Sequence, residues 1–398
     1  MSKPDSDTEA ASAALRAAVE DAARGLVERR SLVEAIALAA VAGEHLLVIG
    51  PPGTAKSEAV RRVSAAVGGT YFEYLLGRFT EPSEIFGPVD LRRLREGVVE
   101  TETSGMLPEA DVAFLDEVFQ GSTAILNTLL GVLNERVFRR GHTLVACPLR
   151  VCVGASNALP EDEALNAFAD RFLLRVFVAP IADPRLEDLL EAGWGLNSLP
   201  AGRTATLADV DTLACAARGC DMTAVRPLLA QCLRTLRRAG IALSDRRAVR
   251  AQRLIAAAAA LDGRRAATTA DLWPLVLAVP TEAEQAAART ELHDILSDSR
   301  NAALPAAAEE ASAGPLARAA RLVEAGTAAL AEAPPPEGSH AETAWRLRLE
   351  GIAREIDAGF APGTLPAPLA EVRARLVTIL SPPPPDTGGT AGPGTSST

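Results

Sequence analysis

Residues 50–57 read Gly-Pro-Pro-Gly-Thr-Ala-Lys-Ser, GPPGTAKS. The short apolar run HLLVIG (45–50) leads in, and SEAVRRVSAAV (57–67), with helical spacing, leads out. Strand, glycine-bearing turn and helix in that order match the phosphate-binding pattern G-x-x-x-x-G-K-[ST], with one departure: Ala55 stands where the second glycine belongs. In such a loop, Gly50, Pro51, Pro52, Gly53, Thr54 and Ala55 wrap the phosphates with backbone N–H groups at the start of the helix. Gly53 supplies the permissive backbone. Lys56 would reach the β- and γ-phosphates of a nucleotide, and the Ser57 hydroxyl would hold Mg²⁺.

The composition sharpens the reading of Lys56. Of the 40 basic residues only Lys3 and Lys56 are lysines. An arginine is a planar fork, whereas lysine is a compact point charge that fits between phosphates. A lone internal lysine in an arginine-rich chain therefore marks a place that arginine could not fill. The net charge of −11 argues against a chain built to neutralise nucleic-acid phosphates. The five cysteines are odd in number and lack paired C-x-x-C spacing, which fits reduced thiols and a cytoplasmic protein. Cys215, Cys220 and Cys232 have no suitably spaced histidine to complete a zinc site. No run has the length of a membrane span, and the N-terminus is polar and acidic, unlike a signal peptide.

Four more apolar runs follow the first: YFEYLL (71–76), VAFLD (112–116), LRVCVGAS (149–156) and LLRVFV (173–178). Helical patterns separate them, so the fold class is α/β with a five-stranded parallel sheet. The expected organisation is a flexible N-terminus (1–8), an α/β nucleotide-binding core (9–180), an all-α lid domain (181–280), a C-terminal helical region (281–380) and a disordered Pro/Gly/Ser/Thr tail (381–398). Residues 9–42 are alanine-rich with helical periodicity.

The strand ends carry the remaining chemistry. VAFLDE (112–117) delivers Asp116, which would act on Mg²⁺, and Glu117, which would orient and polarise the attacking water. In VGASN (153–157), Asn157 either hydrogen-bonds the water or γ-phosphate, or is a turn residue. Arg171, in FADRF (168–172), is either a guanidinium for transferring phosphoryl charge or a surface arginine. In SDRRAVRAQRL (244–254) a capped helix starts with Arg246 and Arg247, an unfavourable place for cations unless a phosphate faces one of them.

This set of motifs resembles the AAA+ ATPases, and within them the MoxR family in its RavA-like branch, over roughly residues 9–280. The resemblance implies the Walker A pair Lys56 and Ser57, the Walker B pair Asp116 and Glu117, sensor 1 at Asn157, an arginine finger at Arg171 and sensor 2 best matched by Arg246. It implies a homo-oligomeric ring, typically a hexamer, in which Arg171 reaches the neighbour's site. The activity implied is ATP hydrolysis that remodels or activates partner proteins, commonly with a von Willebrand factor A-domain partner. The ending Ala55-Lys56-Ser57 is similar to that of RavA-like relatives. No β-rich insertion follows residue 180, so their extra small β-domain is expected to be absent. The stretches 84–109 and 137–151 look like the helix-2 insertion and pre-sensor hairpin, where Phe86, Arg139 and Arg140 either contact substrate or serve packing and a solvated tip.

Two other functions compete. A nucleic-acid motor is disfavoured by the acidic balance, and an ATP-gated scaffold with little hydrolysis by the intact Asp116-Glu117 pair. A small GTPase is disfavoured further, because its guanine-reading N-K-x-D motif needs another internal lysine.

Overall fold

The computed structural model describes residues 3–181, 185–195, 204–336, 338–360 and 365–380. The expected tail, 381–398, lies outside the described residues. The described residues divide into two compact units, one holding 3–181, 185–195 and 204–317, the other holding 318–336, 338–360 and 365–380.

The first unit opens with α1 (Lys3–Ala23) and α2 (Arg30–Ala42), so the periodic stretch 9–42 is two helices, and the first begins at Lys3. They part at 24–29, where Gly25 (φ 74°) and Glu28 (φ 53°) both take left-handed backbone. Then follow β1 (Leu46–Ile49), α3 (Lys56–Val67), β2 (Tyr71–Leu75), α4 (Pro82–Phe86), α5 (Leu91–Arg95), β3 (Val112–Asp116) and α6 (Thr123–Glu135). A hairpin, β4 (Val137–Arg140) and β5 (Thr143–Ala146), precedes β6 (Val151–Ser156), α7 (Glu163–Ala169) and β7 (Leu174–Phe177).

The five expected strands form one parallel sheet in the order β2-β3-β6-β1-β7. Alternation along each strand sends side chains to two cores. Leu46, Val48, Val112, Phe114, Val151 and Val153 face the core shared with α1, α2 and α3. Leu47, Ile49, Ala113, Leu115 and Cys152 face the core shared with α4, α6 and α7. Gly154 on β6 is small because a Cβ there would stand 3.0 Å from the Phe172 ring.

After β7 no further strand occurs among the described residues; α8 (Leu186–Gly195), α9 (Leu207–Arg218), α10 (Val225–Arg238), α11 (Asp245–Leu261) and α12 (Pro274–Leu277) form the lid. Helices α13 (Glu282–Glu291), α14 (His293–Leu296) and α15 (Pro305–Ala313) follow in the same unit. The lid shares the first core through residues such as Leu213, Cys232, Leu254 and Trp273. Glu44, fully buried before β1, pairs with Arg250 and Arg253 of α11 and ties the lid to the sheet. Burying that carboxylate is tolerable because both guanidinia answer it.

The second unit is helical. Helices α16 (Pro315–Ala331), α17 (His340–Gly359) and α18 (Ala367–Leu380) enclose their own core of Leu322, Trp345, Leu349, Ile352, Leu369 and Leu376. Gly314 (φ 48°) separates α15 from α16, breaking a stretch that reads as continuous helix; a Cβ there would meet the Arg289 side chain at 2.4 Å. Among the described residues no helix is long and apolar enough to cross a membrane.

Candidate active site

Parallel register brings three loops to one edge of the sheet. Ile49 stands opposite Ser156, and Leu115 opposite Gly154. The loop 50–55, the pair Asp116-Glu117 and Asn157 therefore leave neighbouring strands at their C-terminal ends, where open α/β sheets take ligands. Gly50 donates to Ser156 O at 3.0 Å, stitching β1 to β6 at that edge. A Cβ at Gly50 would lie 2.2 Å from Val178 O, so only glycine lets β7 pass this close.

The loop turns through Gly53 (φ 76°) and through Ala55 (φ 59°, ψ 28°), which caps α3. The position usually held by glycine therefore keeps its left-handed backbone, and the alanine methyl bears the strain. Thr54 Oγ1 donates to Pro51 O at 2.9 Å and tightens the turn. Lys56 is buried and donates from Nζ to Gly50 O and Pro51 O, each at 2.8 Å. Burial pulls its pKa below the usual lysine value, while the negative charges of Asp116 and Glu117 oppose the fall. Ser57 follows on the first turn of α3.

Glu117 N donates to Asp116 Oδ1 at 3.0 Å. Glu117 is itself left-handed (φ 48°, ψ 45°), which swings its carboxylate off the strand. There Asn157 Nδ2 donates to Glu117 Oε1 at 2.8 Å. Asn157 is thus part of this group of side chains, rather than a turn residue alone.

Arg171 and Arg246 stand apart. Arg171 follows α7; its Nε is buried and has no hydrogen-bond partner among the described residues. Arg246 is exposed in the first turn of α11, behind the Ser244 cap. Arg247 is only 1% exposed, and its guanidinium is fully engaged by Ala278 O, Asp170, Phe172 O and Leu173 O. Of the two adjacent arginines, Arg246 is the one open to a ligand.

The sequence reading missed the loop between α1 and α2. Arg29 is buried, donates to Thr54 O (2.9 Å), Glu28 O (2.9 Å) and Ala179 O (2.7 Å), and is held below the usual arginine value by burial. Beside it a cleft of about 320 Å³ is lined by Leu26, Val27, Pro180, Leu189 and the loop residues 51–55. The available signal was Gly25 inside a helical run.

Of the two readings of Phe86, packing holds. The residue is 1% exposed and stacks on Phe138 with ring centroids 5.3 Å apart, so it is a core residue and offers no surface to a substrate. Arg140 Nη1 donates to Gly87 O at 3.4 Å, tying the hairpin to the 84–109 insertion, and the turn falls at Gly141-His142. Arg139 is exposed and pairs with Glu135 at 2.6 Å.

Comparison with known proteins supplies the family. The family model described as the MoxR domain of MoxR-vWA-beta-propeller ternary systems matches residues 13–215, just over half of the chain. The chain belongs to the MoxR family of AAA+ ATPases. A model of the AAA lid domain matches residues 221–291 of this MoxR-family chain. An uncharacterized protein of Methanocaldococcus jannaschii is 35% identical over 247 residues, 62% of this chain and 64% of that protein, so the chain spans under two thirds of that relative's length. The chaperone MoxR1 of Mycobacterium tuberculosis is 29% identical over 168 residues, 41% of this chain and 44% of MoxR1. A crystal structure of a candidate ATPase from Cytophaga hutchinsonii superimposes with a TM-score of 0.60 at 14% identity, covering 74% of this chain and 97% of that one; it supports the fold.

Proposed function

We propose that this chain binds and hydrolyses ATP, and uses the energy to remodel or activate partner proteins. The observation that carries the reading is the Asn157–Glu117 hydrogen bond at the sheet edge that also bears Lys56 and Asp116. A carboxylate held by a neutral amide beside a phosphate loop is placed to orient a water and take its proton. The cleft beside Arg29 supports a planar base with its phosphates on the loop 50–57. Lys56 then exchanges its two carbonyl partners for phosphate oxygens.

Mg²⁺ fits the donors present. Among the described residues no cluster of three or more His, Cys, Asp or Glu could hold a metal. One hydroxyl (Ser57) and one carboxylate (Asp116), completed by phosphate oxygens and water, is the donor set Mg²⁺ takes at nucleotides. When bound it would neutralise charge on the phosphates. The chain's own part is to fix the phosphates with Lys56 and the loop, hold Glu117 through Asn157, and shield the base in the cleft.

The same reading makes the chain a ring, typically a hexamer, with Arg171 answering charge in the neighbour's site; its side chain is only partly buried, which supports this reading. The exposed Arg246 would sense the nucleotide from the lid. The matched family model's ternary systems support a von Willebrand factor A-domain partner, and the Ala55-Lys56-Ser57 ending supports the RavA-like branch. The test is steady-state ATP turnover by wild type, Lys56→Ala and Glu117→Gln. Loss of nucleotide binding in the first and retained binding without turnover in the second are expected; equal turnover in all three sinks the proposal. Capture with the Glu117→Gln form in ATP then tests the partner.

A further inference from the structure

We propose that Arg247 is a positioning residue for Arg171: from the lid it grips the chain on both sides of Arg171 and fixes where that guanidinium is presented. This rests on the reading of Arg171 as the group that serves a neighbouring site.

Arg171 lies between α7 and β7, and its own side chain does not anchor it, since its Nε is buried without a hydrogen-bond partner. Its place is set by what surrounds it. Phe168 and Phe172 pack edge to face, centroids 5.7 Å apart, on the side of the second core. Arg247 holds the other side. Its Nη1 donates to Asp170 Oδ1 at 3.1 Å and to Phe172 O at 3.2 Å, and its Nη2 donates to Leu173 O at 2.6 Å. Its Nε donates to Ala278 O at 2.9 Å, which fixes the guanidinium to the end of α12. One planar fork thus binds the residue before Arg171, the two after it and the lid at once. Lysine, with no plane and a single nitrogen, cannot span those four acceptors.

The neighbourhood makes Asp170 the sensitive member. Arg175 on β7 is also buried, and its Nη1 donates to Pro280 O at 2.8 Å. Burial and then the charge of Arg247 hold Arg175 down at about 10, while Asp170 and Glu284 oppose. Burial likewise lowers Arg247, against Asp170. Arg247 alone pairs with the Asp170 carboxylate, itself a third exposed on its side chain, and Arg175 feels its charge without bonding to it.

This arrangement explains the Arg-Arg doublet in the first turn of α11. Consecutive helix residues point about 100° apart. Arg246 faces out, where the proposed nucleotide would meet it, and Arg247 faces in, onto the Arg171 segment. A lid movement caused by a subunit's own nucleotide is then felt directly at the arginine it offers its neighbour.

The experiment uses the full chain and measures ATP turnover and the affinity for a fluorescent ATP analogue. Asp170→Asn keeps the carbonyl bonds of Arg247 and removes the carboxylate it pairs with. Arg247→Lys keeps the charge and removes the fork. Each is expected to lower kcat about 10- to 100-fold, the scale of a small misplacement of a catalytic group, with analogue affinity unchanged within about two-fold. In an Arg171→Ala background neither is expected to lower kcat further, because the group being positioned is gone. Wild-type kcat in both variants, or losses that add in full to that of Arg171→Ala, overturns the inference alone. Failure of both variants to fold, seen by thermal melting, also overturns it, since the grip is then structural. A wild-type chain without turnover, or Arg171→Ala with full turnover, overturns the reading of Arg171 and the inference with it.

Discussion

Asn157 donates from Nδ2 to Glu117 Oε1 at 2.8 Å, while Glu117 sits in left-handed backbone at φ 48°. The two features act together. The backbone lifts the carboxylate out of the strand direction, and the amide fixes its rotamer. Neither would hold the group alone, since a non-glycine residue at that φ costs about 1–2 kcal/mol. Asn157→Ala should therefore leave nucleotide affinity almost unchanged and lower kcat by about 10²-fold, the low end for general-base action. Turnover and analogue binding measured on one preparation check this. Unchanged kcat would mean the bond is incidental.

Ala55 offers a separate prediction. It occupies left-handed backbone (φ 59°) at the head of α3, and glycine would relieve its strain. The relief, about 1–2 kcal/mol, is partly offset by glycine's larger unfolded-state entropy, leaving roughly 0.5–1 kcal/mol. Ala55→Gly should raise Tm by about 1–3 °C and preserve turnover. Ala55→Val, a β-branched residue in the same backbone, should lower both. A Tm ordering of valine above glycine would contradict the strain argument.

Arg29 joins the α1–α2 loop, the phosphate loop and the end of β7 through three backbone carbonyls. Arg29→Met keeps much of the apolar stem and removes every bond. The expected cost is about 1–3 kcal/mol of stability, for buried acceptors left unanswered, together with weaker ATP binding. Calorimetric unfolding and analogue titration read the two effects separately. A melt unchanged from wild type would show that water replaces the guanidinium.

These residues show where the sequence was informative. The strands, their parallel pairing in one sheet and the candidate site at 50–57, 116–117 and 157 were legible because each rests on local pattern: short continuous apolar runs ending in a glycine or polar group. Arg246 and Arg247 could not be separated, since both occupy the first turn and only the carbonyls of 172, 173 and 278 decide which is buried. Phe86 could not be decided between contact and packing because nothing nearby in sequence announces Phe138, 52 positions on. The helix breaks at Gly25 and Gly314 were masked by alanine-rich flanks that favour helix on both sides.

Lys56 should make nucleotide binding fall with rising pH. Burial lowers its pKa, with Asp116 and Glu117 pulling the other way. In the free protein the ammonium is strained below that lowered pKa, and the strain is released as pH rises from it towards the usual lysine value. Binding has the opposite dependence, because phosphates need the charge. Affinity is complete below the lowered pKa and is lost as pH rises through it. Phosphate draws the pKa back up, so binding takes up protons within that window. Analogue affinity should hold steady near neutrality and weaken on the alkaline side, earlier than an ordinary lysine would allow. Lys56→Arg should bind more weakly at neutral pH and lack this slope, since guanidinium keeps its charge. An identical slope in both proteins would assign the pH dependence to another group.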